Sequence, residues 1–291
     1  MSMAANIPSP TADPPRYGVI PLLARSEVPA ELAARFALGW SFLSEGCDSS
    51  GAEPLASCGS VDVTADIPQA GPLSGQPVFL WAEDSCSAFG FRARDWEGRV
   101  RRALEAHQSY DLAAELWDGA AALAGGLDNP WYTQADIEVS AGTPLAVGKA
   151  LGCLEQALGL HLKGMPGLVH FTPQALTQLV QLGAVWRDGA VWRSPMGHLV
   201  VADAGYSGNG PGGDVAGETQ WAYATPMIQV YLDPIRLIPG SPDEREALAA
   251  MMDTRLNDIT VRAGRLAAAV WANDCLLAAA ELDLPICGTG S

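Results

Sequence analysis

The residues able to do chemistry in this chain are few, and their spacing does not bring them together. Four histidines, His107, His161, His170 and His198, fall in different segments with no HxxxH or HExxH spacing, so they make no two-ligand face for a metal. His170 stands in the apolar run GLVHF, where a hydrogen-bonded core histidine is the expected reading. The glycine-rich stretch 203–219, DAGYSGNGPGGDVAGET, lacks the Gly-Lys-Ser/Thr that ends a phosphate-binding loop; it reads as flexible surface or an interface loop rather than an anion cradle. Ser207 in GYSGNG has no strand-to-helix setting for a nucleophile elbow. Two carboxylate groupings remain, Glu83-Asp84 and Asp243-Glu244 with Glu246, and the second opens a helix, where the helix dipole alone favours acids. No nucleophile, base and orienting group converge. The reading therefore assigns no catalytic residue, no cofactor site and no metal site.

Cys47, Cys58, Cys86, Cys153, Cys275 and Cys287 are too sparse for a disulfide scaffold, and none stands in a CxxC pair. Unpaired structural thiols are the expectation, with disulfides at Cys47, Cys58 or Cys86 left open.

The elements that would position any site are more legible. Asp95–Gly119, DWEGRVRRALEAHQSYDLAAELWDG, carries one unbroken helical reading. Asp95 is an N-cap, Trp96, Val100, Leu104, His107, Leu112 and Leu116 recur at helical steps, and Gly119 is a stop. Such a rod spans roughly 36 Å, with Val100, Leu104 and Leu116 expected inside and Arg94, Arg101 and Arg102 outside. Before it lie a proline-rich arm at 1–16, an apolar run Tyr17–Leu23, a helix over Val28–Phe36, a loop over 46–77 with a strand at Val61–Ile67, and a buried strand at Pro77–Ala82.

After it, 120–141 reads as loop with a strand near Ile137–Val139. Thr143-Pro144 opens a helix to about Gly159, in which Gly148 and Gly152 permit close approach of another backbone. A strand at Gly167–Phe171 and a helix from Thr172-Pro173 to Gly183 follow. Arg187-Asp188-Gly189 is the turn of a hairpin. Strands are expected at His198–Ala202, Trp221–Thr225, Gln229–Leu232 and Ile235–Ile238, then a capping-box helix from Ser241 to Met252. The chain closes with a long strand, Asp258–Trp271, slipping at Gly264, and Cys275–Ala280 pairing beside it. The class is α+β.

Composition narrows the function. The 291 residues are 48% hydrophobic and 17% charged, with a net charge of −16; a chain so poor in charge is expected to have much of its surface covered by other subunits. Lys149 and Lys163 are the only lysines, which argues against phosphate-backbone binding. Nine tryptophans are spread over every element; most should be core, and some should anchor interfaces. With neither a signal peptide nor a transmembrane run, synthesis in the cytosol without membrane insertion is expected.

The order of segments, with GLVHFTPQALTQL, RSPMGHLVVADAGY, WAYAT and VRAGRLAAAVW as its phrases, resembles the major capsid proteins of tailed bacteriophages, whose Hong Kong phage type fold is shared with encapsulins, and in particular capsid-type proteins of phages infecting actinobacteria. The resemblance implies an N-terminal arm at 1–45, an extended loop region at 46–92, a peripheral domain with a long spine helix at 93–139 and 241–291, and an axial domain at 140–240. It implies a head-shell protein without enzymatic turnover that assembles with itself into hexamers and pentamers of an icosahedral shell. That shell would enclose double-stranded DNA without sequence-specific binding, in the virion, after assembly in the host cytoplasm. Scaffold, portal and decoration proteins would be separate chains. Two lysines leave little room for isopeptide cross-linking. The alternatives are an encapsulin-like compartment shell and a soluble acidic α+β enzyme.

Overall fold

The computed structural model describes residues 17–29, 31–44, 72–87, 95–238, 252–253 and 258–286. The arm at 1–16, the strand expected at Val61–Ile67, Arg94, and the capping-box helix from Ser241 lie outside these residues. The N-terminal part holds α1 (Val19–Leu22), β1 (Ala24–Glu27), α2 (Ala33–Phe36), β2 (Trp40–Leu43), β3 (Pro72–Gly75) and β4 (Val78–Ser87). Next come α3 (Trp96–Asp118), α4 (Ala120–Gly125), β5 (Ile137–Glu138), α5 (Val147–Leu162), β6 (Gly167–Phe171), α6 (Pro173–Gln181), β7 (Trp186–Asp188), β8 (Val191–Arg193) and β9 (Leu199–Ala202). The chain returns through β10 (Gln220–Pro226), β11 (Ile228–Leu232), β12 (Arg236–Ile238), β13 (Met252–Asp253), β14 (Asp258–Trp271) and β15 (Ala278–Leu282).

The expected rod is α3, continuous through Ser109-Tyr110. Asp95 accepts a hydrogen bond from the Gly98 amide at 2.9 Å, and Gly119 closes the helix in the left-handed region at φ 65°, where a Cβ is costly. Val100, Leu104, Leu112 and Leu116 are buried. His107, counted in the apolar stripe from its spacing, is exposed; Gln108 faces the sheet instead and accepts from Arg265 at 3.2 Å. Arg102 is exposed, while Arg101 is partly buried and donates to the Ile235 carbonyl.

Two sheets share this helix. In the first, β14 pairs along one edge with β4 over ten residues, and along the other with β11, β12 and β13 in succession, β1 lying outside β11. The second runs β5-β15-β10-β6-β9-β8-β7. One core joins α3 to the inner face of the first sheet and to Leu168, Val201, Tyr223 and Ala279 of the second. The opposite face of the second sheet buries α5 and α6 in a separate core.

Five sequence expectations fail. The Thr143-Pro144 signal does not cap α5, whose N-cap is Ala146; Leu145 instead exchanges backbone hydrogen bonds with Glu281 and Asp283, so pairing with the sheet's end overrides the local signal. Helix α4 replaces expected loop because the Glu115 carboxylate accepts from the Ala121 and Ala122 amides at 2.7 and 2.8 Å. Strand β14 has no slip at Gly264: its register with β4 runs unbroken from Asp258–Ser87 to Ala267–Val78. The apolar phase changes because the covered face changes. Ile259, Val261 and Ala263 face the α3 core, whereas Leu266, Ala268 and Val270 meet Val28, Phe36 and Trp40 on the other side. Residues 278–280, expected beside β14, belong to the other sheet. The helix expected over Val28–Phe36 is confined to α2, and Val28 continues the path of β1, its amide donating to the Leu232 carbonyl.

Candidate functional site

The most developed polar arrangement is a buried junction where the N-terminal segment, α3 and the start of the glycine-rich loop meet. Asp203 is its centre. Its Oδ2 accepts from the Val19 amide and from Ser109 Oγ, each at 2.8 Å, and its Oδ1 accepts from the Gly205 amide at 3.0 Å. Ser109 Oγ in turn accepts from the Ile20 amide at 3.2 Å. Gly18, at φ 118°, leaves room for the carboxylate, since a Cβ there would stand 2.2 Å from Asp203 Oδ2. Burial pushes the Asp203 carboxyl above its ordinary range, against the pull of its hydrogen bonds from Gly205, Val19 and Ser109. The group acts as a hub for backbone donors of segments far apart in sequence, with no exposed face for a substrate.

Beside it lies an aromatic cluster. Trp117, Tyr132, Tyr206, Tyr223 and His170 stack and cross at centroid distances of 4.4 to 5.9 Å. His170 is fully buried, with Nδ1 3.0 Å from the Tyr206 hydroxyl and Nε2 2.9 Å from Thr225 Oγ1. Thr225 Oγ1 donates to the Pro226 carbonyl, which leaves it to accept from Nε2–H. Nδ1 then accepts from Tyr206. Burial pushes the His170 pKa down to about 3. This is the hydrogen-bonded core histidine expected from GLVHF.

The other sequence candidates stay apart. His107 and His161 are exposed, on α3 and α5, and His198 Nδ1 accepts from the Gly167 amide at 3.2 Å. Glu83 pairs with Arg262 at 2.7 Å and Asp84 with Arg99 at 2.8 Å, so these carboxylates serve two separate ion pairs. No group of three His, Cys, Asp or Glu side chains that could hold a metal occurs among the described residues. Asp243, Glu244 and Glu246 lie outside them. Cys153 is a free thiol, whereas Cys275 is disulfide-bonded, against the expectation of unpaired thiols.

The glycine-rich stretch is two things. Its first half is seated rather than free: the Asn209 carbonyl accepts from Trp117 Nε1 and from the Tyr223 hydroxyl, both at 2.9 Å. A Cβ on Gly205 would stand 2.2 Å from the Tyr110 carbonyl oxygen and 2.9 Å from the Ala114 nitrogen. Both atoms are helix backbone, so Gly205→Ala must lift the loop off α3. We expect a loss of about 2 kcal/mol, read as a fall in Tm; an unchanged Tm would mean that the loop does not bear on the helix. The second half projects, with Val215 84% exposed.

That exposure is part of a wider pattern. Leu38, Leu43, Leu123, Leu160, Leu182 and Met196 are each more than 60% exposed, and Trp81 and Phe79 lie about half exposed on the open face of β4, with Arg262 4.9 Å over the Trp81 ring. Of the nine tryptophans, Trp96, Trp117, Trp221 and Trp271 are buried, while Trp81 and Trp186 are exposed. Among the described residues, a Cβ on Gly148 would meet only the Leu182 side chain and one on Gly152 nothing within 4 Å. An apolar cavity of about 580 Å³, lined by Val28, Phe36, Trp40, Phe42 and Tyr231, opens between the N-terminal segment and β11; its lining brings no acid and base together. Exposed large apolar groups thus stand on several faces, with Phe79 and Trp81 adjoining on β4. No helix among the described residues is long and apolar enough to cross a membrane.

Solved structures of similar fold include phage-type capsids and an encapsulin complex. The likeness to the capsid of an empty GTA particle spans 97% of this chain and 95% of that one, at 12% identity and a TM-score of 0.57. With the holo-SrpI encapsulin complex from Synechococcus elongatus PCC 7942 the figures are 99%, 95%, 9% and 0.56, and with the capsid of Ralstonia phage GP4 they are 96%, 95%, 10% and 0.53. No protein-family profile and no curated protein matches the chain at a significant level. At such identities the likeness is one of fold: the chain is α+β, with the architecture of tailed-phage capsid subunits and encapsulins.

Proposed function

We propose that this chain, built on the fold of phage capsid and encapsulin subunits, is the major head-shell protein of a tailed bacteriophage and assembles with itself into hexamers and pentamers around double-stranded DNA. The observation that carries the reading is the end-to-end likeness to capsid subunits, over 97% of the chain for the GTA capsid, in a molecule whose large apolar side chains stand exposed on several faces. The net charge of −16 supports it: a container must not hold its DNA tightly, and acidic walls do not condense on phosphate. The shell role requires no turnover.

Residues 93–139 and 241–291, with the spine helix and β14, would form the peripheral domain, and residues 140–240, with α5 and α6, the axial domain. Strand β15, within 241–291, pairs with β10, so it would be counted with the axial domain. Residues 1–45 would be the arm and 46–92 the extended loop. Scaffold, portal and decoration proteins would be separate partners, the particle a virion head put together in the host cytoplasm.

Expression of the chain and electron microscopy of the product tests this. Closed particles or capsomers are expected, and a chain that stays monomeric or dimeric with virion partners supplied would overturn it. The encapsulin likeness, with a TM-score of 0.56, keeps a second reading in view, a compartment around protein cargo. Particles purified from the native source separate the two: packaged double-stranded DNA supports the head shell, an enclosed enzyme the compartment. Within either shell Trp81→Ser should leave the subunit folded, since the ring is 49% exposed, but weaken each contact it joins by about 2 kcal/mol, roughly 30-fold in association. Sedimentation against subunit concentration measures it.

A further inference from the structure

The outward side of α5 is unlike the rest of this acidic surface. With Ile137 of β5 and Val139 it lines a depression of about 640 Å³, to which Ala157, Leu160, Lys149 and His161 also contribute. Leu160 is 64% exposed there. Lys149, one of only two lysines in the chain, makes no ion pair among the described residues.

An exposed apolar tip flanked by acids stands elsewhere, on the projecting half of the glycine-rich loop. Val215, 84% exposed, stands near Asp214 and Glu218, both also exposed. The knob is held in place. The Gly210 amide donates to the Asp214 carbonyl at 2.7 Å, Ala216 donates to Asn209 Oδ1 at 3.1 Å, and Ile286 donates to the Gly217 carbonyl at 2.9 Å. A preorganised apolar tip loses little freedom on docking. The loop is rooted on the α3 face of the seven-stranded sheet through Trp117 and Tyr223, whereas α5 packs on the opposite face, and no residue of the loop lines the depression.

We infer that the α5 depression is the receptor for the Val215 knob of a second copy of this chain, with Lys149 at the depression facing Asp214 and Glu218 of that copy. Because knob and receptor are different surfaces, the contact is heterologous: each copy receives one neighbour and enters the next, which closes rings when the rotation permits. The inference rests on the shell reading for the ring, and it names the two surfaces that meet.

Assembly of purified chain, followed by light scattering and microscopy, tests it with charge reversals. Lys149→Glu and Glu218→Lys should each weaken association by roughly fivefold, and the double variant should recover most of that loss. Val215→Asp, which puts an acid into an apolar seat, should weaken it by roughly tenfold or more. All three positions are exposed, so circular dichroism should report an unchanged fold. If the double variant assembles no better than either single one, or Val215→Asp assembles as well as the parent, the contact is wrong while the shell reading stands. If the parent chain forms no assembly at all, both fall together.

Discussion

Asp203→Ala is expected to destabilise the subunit by about 3–5 kcal/mol, enough to leave a marginal domain largely unfolded at 37 °C. The side chain is 6% exposed and gathers donors from Val19, Ser109 and Gly205. Alanine leaves two backbone amides and a hydroxyl facing a void. Each orphaned buried donor costs about 1–3 kcal/mol. Against that loss stands the relief of no longer burying a carboxylate, the same desolvation that pushes its pKa up, so the total falls short of three full penalties. Asp203→Asn keeps one acceptor oxygen and the shape, and should lose about half as much. Ser109→Ala removes one donor to Asp203 and also leaves the Ile20 amide without its acceptor, and should cost about 2 kcal/mol. Denaturant unfolding of the three variants as unassembled subunits checks the order; an alanine variant as stable as the asparagine one would mean that the hub does not tie these segments together. The consequence for assembly is direct, because Val19 and Ile20 lie in the segment proposed as the arm and are tied to the body of the subunit here. Loosening them should release the arm's root before the cores on either side of the seven-stranded sheet give way.

None of this junction can be read from the chain alone, and the reason is distance. Asp203 and Val19 are 184 residues apart, Ser109 and Asp203 94, and no local pattern marks a serine in mid-helix or an aspartate opening a glycine-rich loop as partners. What local physics governs was legible: the N-cap and stop of α3, the Thr172 cap of α6, whose Oγ1 accepts from the Ala175 amide, and the Arg187-Asp188-Gly189 hairpin. Errors arose where another segment supplies the missing partner, as Glu115 does for α4 and β15 does for Leu145. The same holds for β14, whose apparent slip records a change of cover from α3 to the N-terminal segment. For the surface, the sequence yielded the ingredients but not their placement. The scarcity of lysine was plain, yet that Lys149 borders an apolar depression, and that Val215 projects on a pinned turn, required three dimensions.

Acid should weaken the subunit through His170, with the sign fixed by burial. The imidazole takes a proton near pH 6.5 in the unfolded chain but only near pH 3 in the folded one. Between these values the unfolded state binds more protons, so stability falls as pH falls: full above 6.5, eroding from there toward 3. Integrated over that window the loss is about 4 kcal/mol. Protonation also breaks the hydrogen bond pattern, since Nδ1 would carry a proton toward a Tyr206 hydroxyl that now donates to it. Asp203 acts in the opposite direction, because its raised pKa lets the folded state hold a proton more readily than the unfolded one, and stability from that group grows as pH drops through its folded pKa. His170→Gln separates the two: glutamine can still accept from Tyr206 and donate to Thr225 but does not titrate. Unfolding free energies measured by tryptophan fluorescence from pH 7 to pH 4 should decline for the parent and stay flat or rise slightly for His170→Gln. A parent as stable at pH 4 as at pH 7, or a glutamine variant that keeps the parent's slope, would place the acid sensitivity elsewhere. In an assembled shell the same protonation would act from inside each subunit, loosening α3, β6 and β10 where both sheets lean on the aromatic cluster, so acid should soften particles without titrating any contact between copies.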